Sequence, residues 1–149
     1  MSDKVKQVMK LYSLSAQKLI ILTFVFSVFA FSCTKEINDA NLQNRTWILV
    51  YMENETDEFE PVEEISLAFI SDEEIHGSGG CNAYWAEYSI DGNTIETSGF
   101  TATEMACVGE TGMQETVYFD LIIKAKKITL DDGLLTIECD GGELEFEEE

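Results

Sequence analysis

The chain has a single histidine, His76, a single proline, Pro61, and only nine lysines and arginines against 29 aspartates and glutamates. One histidine excludes metal sites built from several imidazoles and leaves at most one Cys–His couple. His76 falls near a strand end and reads as a solvated residue. The patterns G-x-S-x-G and H-E-x-x-H are missing. So is the D-x-D-x-D-G loop of a specific calcium site. Scarce positive charge argues against nucleic acid, because an acidic domain repels the phosphate backbone. Carboxylates are so plentiful that some pair stands at glycosidase-like spacing by chance, so they do not by themselves indicate a hydrolase. The sequence therefore offers no catalytic set, no metal ligands and no cofactor motif.

A long hydrophobic run is lacking too. The most apolar stretch, Leu19 to Phe31, is broken only by Thr23 and Ser27. As a helix it rises about 20 Å, short of a hydrocarbon core of about 30 Å. Preceded by Lys4, Lys6, Lys10 and Lys18, it reads as a cleaved secretory signal rather than a span. Met9-Lys10 offers an alternative start with a more ordinary basic region. The signal ends at Ala30-Phe31-Ser32-Cys33. A small residue immediately before a cysteine is a lipobox pattern, with Cys33 lipidated and becoming the mature N-terminus. Ala30 and Ser32 also suit ordinary signal peptidase, which would release a soluble protein, and an uncleaved anchor is the remaining alternative. Two or three acyl chains anchor a protein stably, whereas one does so only marginally. The expected organisation is signal 1–32, polar tether 33–41 and one domain, 42–149.

Residues 33–149 carry five basic and 28 acidic side chains, a formal charge of −23. Such a surface is solubilising and self-repelling; the sharper alternative is capture of a basic partner or of divalent cations. Besides Cys33 there are Cys81, Cys107 and Cys139. Export to an oxidising compartment implies one disulfide and one spare thiol, and sequence alone permits three pairings. Cys139 alternates with Leu135 and Ile137, which marks it as a core thiol.

The pattern after residue 40 is mostly β. Trp47 to Met52 suits a first strand, and residues 53–64 form an acidic loop. Ile65, Leu67 and Phe69 share one strand face; Tyr84, Ala86, Tyr88 and Ile90 share another. Asp91-Gly92 supplies a hairpin turn. Thr111 and Gln114 have capping-box spacing, and Val117, Tyr118, Leu121, Ile122 and Ala125 form a helical stripe. These predict one helix over about 112–126, with Lys124, Lys126 and Lys127 at its negative end. A meander follows through Asp132-Gly133 and Gly141-Gly142 to Leu144 and Phe146. The run Gly77-Ser78-Gly79-Gly80 lacks phosphate-loop spacing and precedes a strand, so it reads as a bend where two backbones approach closely. Asn82 is placed to satisfy exposed backbone groups there. Tyr84, Trp85, Tyr88 and Tyr118 offer cleft-lining aromatics, and the plainer reading makes them core.

Gly77 to Tyr84, Tyr88, Met105-Ala106-Cys107, and Glu115 with Tyr118 and Leu121 resemble the META domain, the HslJ-like family of bacterial envelope proteins. Trp47 and the terminal hairpin through Phe146 fit as well. The resemblance covers roughly Leu42 to Phe146. Trp85-Ala86-Glu87 departs from it, standing where a glycine often precedes the second tyrosine. It implies an α+β, mostly β fold: an antiparallel, partly open barrel-like sheet with one helix, similar in outline to secretin pilotins. It points to Cys81 and Cys107 as the disulfide pair, whose loop is worth roughly 3–4 kcal/mol by chain entropy. The family includes lipoproteins linked to heat-shock and drug stress, without an established catalytic activity. The expectation is a non-enzymatic, monomeric, lipid-anchored protein of the cell envelope, with the outer membrane as its place and an envelope protein as partner. A soluble periplasmic or secreted form is the alternative location. The alternative function is an open barrel holding an apolar or lipid ligand.

Overall fold

The computed structural model describes Ile37 and residues 39–149. The expected signal, Cys33 and most of the tether lie outside the described residues. Nine strands form one antiparallel sheet, and eight of them close into a barrel. Strand β1 (Thr46–Asn54) pairs along almost its whole length with β9 (Gly142–Glu148), from Trp47↔Glu148 to Asn54↔Gly142. Its other edge takes β3 (Ser66–Phe69) near its start and the two-residue β2 (Glu58–Phe59) near its end. From β3 the sheet runs through β4 (Glu74–Ser78), β5 (Ala83–Asp91) and β6 (Thr94–Ala102) to the meander β7 (Ala125–Asp131), β8 (Leu134–Cys139) and β9.

The β1–β9 ladder closes the ring, and any opening is confined to the β6–β7 seam. There the ladder holds a single pair, Thr94↔Lys127, and the Ile128 N–H donates to the Asn93 carbonyl at 2.8 Å. Helix α1 spans Asp39–Leu42, and α2, Gly109–Ile122, connects the two strands of the seam. Thr97 Oγ1 donates to the Ile122 carbonyl at 3.1 Å, holding the end of α2 against β6.

Strict alternation makes the interior. Tyr84, Ala86 and Tyr88 of β5 point inward while Ala83, Trp85 and Glu87 point out. Strand β1 changes phase at a bulge between Leu49 and Tyr51, so Trp47, Leu49 and Met52 all face the core. Trp47, Phe69, Tyr84, Tyr118 and Phe146 fill the centre, fully buried. Trp47 Nε1 donates to the Leu42 carbonyl at 3.2 Å, which fastens α1 to β1. The Tyr84 and Tyr118 hydroxyls meet at 2.6 Å, and Tyr84 also reaches the Ser66 carbonyl at 3.2 Å. Gly77 marks the close approach expected of its run: a Cβ there would lie 2.0 Å from the Ser66 oxygen and 2.6 Å from the Tyr84 ring. Only glycine fits.

The helix differs from its sequence expectation at both ends. It starts at Gly109, with Val108 extended at the cap and no side-chain capping bond, so Thr111 and Gln114 lie inside it. It stops at Ile122 because the Lys124 N–H turns back to the Leu121 carbonyl and Ala125 pairs with Cys139 in the sheet. Ala125 is buried as the first inward residue of β7. Lys126 and Lys127 leave the helix with it; Lys126 pairs with Asp140 in the β8–β9 turn and Lys127 with Glu138 across the strands. Only Lys124 stays near the helix end, bonded to Asp120 at 2.8 Å.

Candidate functional site

The buried polar side chains among the described residues are Asn82, Gln114 and Glu115. All three sit where the glycine-rich turn between β4 and β5 meets α2. Gly79 brings the turn so close that a Cβ would lie 2.7 Å from the Phe119 ring. Glu115 then reaches its backbone: Oε2 accepts from the Asn82 N–H at 2.5 Å and the Cys81 N–H at 3.3 Å. Its Oε1 accepts from Asn82 Nδ2 at 2.7 Å. The Asn82 Oδ1 accepts from the Met105 N–H and from Thr103 Oγ1, both at 2.7 Å. Asn82 thus ties three segments together, satisfying backbone groups as its sequence position suggests. Cys81 and Cys107 are joined as a disulfide beside it, with Cα atoms 6.3 Å apart.

Gln114 makes a second tie that the sequence did not disclose. Its Oε1 accepts from the Val62 N–H at 2.6 Å and the Glu63 N–H at 3.2 Å, and its Nε2 donates to the Glu63 carbonyl at 2.9 Å. One amide clamps the acidic loop to α2. Its partners are 51 and 52 residues away, so no local pattern announces them.

This knot is poorly suited to chemistry. The two sulfurs near Glu115 are bonded to each other, so they do not supply thiolates to a metal. The carboxylate is already enclosed by three N–H donors. Among the described residues, every buried side-chain nitrogen and oxygen has a partner. Burial holds the Tyr84 and Tyr118 hydroxyls far above the usual phenol range, so neither ionises near neutrality. Burial, aided by the charge of Glu143, pushes the half-buried Cys139 thiol up to about 12. His76 is exposed on β4 beside Glu74, at 2.9 Å, apart from the knot. Tyr84 and Tyr118 are buried core residues: Tyr84 stacks on Phe100 and meets Phe119 edge-on, and Tyr118 meets Phe146 edge-on.

A profile of the META domain matches residues 40–149, and it covers the strands, the knot and the helix together. The chain belongs to the META domain family. An NMR structure of a protein from Burkholderia xenovorans is similar over 74% of this chain and 85% of its own, with a TM-score of 0.63 at 19% identity. A second NMR structure matches 74% of this chain and 94% of its own, with a TM-score of 0.59 at 18% identity. At such identities the likeness shows the fold alone. No curated protein matches the sequence. In this META domain the sequence runs that carry the resemblance, Gly77–Tyr84, Met105–Cys107 and Glu115 with Tyr118, converge on the one knot.

Next to the knot the META domain carries an apolar surface. Two adjoining depressions, of about 250 and about 650 Å³, share Phe59 and Met113 as a common wall. Val62 borders the first and Val117 the second. Met113 is 62% exposed and Val62 54% exposed.

Proposed function

We propose that this META domain protein is a non-enzymatic component of the bacterial cell envelope, anchored to the outer membrane by lipidated Cys33. It acts in stress tolerance or envelope assembly through contacts with another protein. The observation that carries the reading is the saturation of the knot. Among the described residues its one buried carboxylate, Glu115, takes three N–H donors from Cys81 and Asn82 and so serves as the acceptor that holds the turn. The basic start, short apolar run and Cys33 support the anchor. The barrel centre is occupied by Trp47, Tyr84, Tyr118 and Phe146, where a lipid-holding barrel needs space.

Complementation of a deletion strain under heat or drug stress tests this. Cys33→Ser should lose function, while His76→Ala and Cys139→Ser, which remove the single imidazole and the free thiol of the described residues, should retain it. Function that survives Cys33→Ser, or fails with His76→Ala in a folded protein, contradicts the proposal.

A further inference from the structure

Among the described residues every lysine and arginine is already ion-paired: Arg45 with Glu148, Lys124 with Asp120, Lys126 with Asp140 and Lys127 with Glu138. None of them borders the surface between β2 and α2. The carboxylates around it are different. Asp57, Glu60 and Glu110 line the two depressions, and Glu58 and Glu63 flank them; all are exposed, and none is in an ion pair among the described residues.

A separate row of carboxylates crosses the sheet on the face opposite Phe59, since Phe59 pairs with core-facing Met52 and Glu58 with Glu53. Glu138 stands opposite Glu143, Glu143 opposite Glu53, and Glu53 opposite Glu58 on β2. Directly opposed like charges destabilise a sheet. The lining between β2 and α2 is itself apolar: Phe59, Val62, Met113 and Val117. Val108, 86% exposed at the start of α2, extends the apolar character of that end.

We propose that the groove walled by Phe59 and Met113 is a docking site for a cationic, amphipathic segment of a partner protein. Apolar residues of the segment pack on Phe59, Val62 and Met113, and its lysines or arginines face the carboxylate rim. The proposal rests on the protein-contact reading above and names the chemistry of the contact. Charge selects the occupant. A second copy of this acidic chain, or an anionic lipid surface, meets the rim with like charge.

The test uses the full-length protein in a neutral detergent and an 18-residue leucine–lysine peptide with its leucines at helical spacing. The peptide carries a photoreactive group at a central apolar position. The control peptide has glutamate in place of lysine. Cross-links are expected within residues 57–63 and 109–117, with no binding of the glutamate peptide. The decisive variant is Val62→Ser with Met113→Ser, which keeps both the net charge and the detergent environment. Both side chains are exposed, so its melting temperature should match the parent, and its affinity should fall by at least about tenfold. Glu60→Gln with Glu63→Gln should weaken binding and flatten its salt dependence. Equal affinity in the Val62/Met113 variant would mean attraction by net charge alone and would overturn the proposal. So would cross-links elsewhere, or a parental dimer that this variant dissociates. Peptide binding does not depend on lipidation of Cys33, so this proposal and the anchoring one can fail separately.

Discussion

The Glu115 carboxylate accepts both the main-chain N–H and the side-chain amide of Asn82, at 2.5 and 2.7 Å. It is a buried bond between a charged acceptor and two donors, and each partner has further bonds that depend on its position. Asn82→Ala should therefore cost about 3 kcal/mol, since it strands the Met105 N–H and part of Glu115. A double-mutant cycle with Glu115→Gln should return a coupling of roughly 1–3 kcal/mol by urea unfolding. Additive losses would show that the two do not act as a unit.

The disulfide should support the same knot. It fixes the residue before Asn82 to the segment that Asn82 holds through Met105. Cys107→Ser should lower stability by about 3 kcal/mol. Non-reducing peptide mapping should find Cys81 joined to Cys107; a bond from Cys139 to either one would contradict the pairing.

Cys139 should be a slow thiol. With its ionisation pushed up to about 12 by burial, the native protein holds almost no thiolate at pH 8. Alkylation should be far slower than for an exposed cysteine and should still be accelerating above pH 10. Rapid labelling at pH 8 in the folded state would show that the site opens.

Glu143 makes the sheet pH-dependent. Burial raises its carboxyl above the ordinary value near 4.5, assisted by Glu145, Glu53 and Glu138. A raised folded value means the folded state holds the proton more tightly than the unfolded chain. Its stabilising contribution is present below pH 4.5 and is lost as pH rises through the raised range. Glu143→Gln should therefore unfold at a higher denaturant midpoint than the parent at pH 7, by a small margin because solvent screens the partly exposed carboxylate. At pH 4 the two should nearly coincide. A gap that is larger at pH 4 would contradict the cross-strand repulsion.

Gln114 governs the acidic loop. Gln114→Ala should speed hydrogen exchange at Val62 and Glu63, whose N–H groups it accepts, and cost about 2 kcal/mol. Unchanged exchange there would mean the loop is held by other contacts.

The sequence made the strands legible because burial alternates with period two in β5, β8 and β9. Asp91-Gly92 also sits at the hairpin it suggests, between β5 and β6. The helix end was not legible. Ala125 lies four residues beyond Leu121, so its apolar side chain continues the helical stripe although it opens a strand. Gln114 has capping-box spacing to Thr111, but its amide serves loop residues distant in sequence. The groove was hidden for the same reason. Phe59 and Met113 look like isolated apolar residues in polar segments until the β1–β2 pairing and the Gln114 clamp set them side by side.

Fatty-acid labelling in growing cells tests the anchored reading most directly. The parent chain should incorporate labelled palmitate and yield a mature amino-terminal peptide that begins at acylated Cys33, whereas Cys33→Ser should take up none. A mature peptide beginning at an unmodified Cys33, or labelling that persists in Cys33→Ser, would contradict the account.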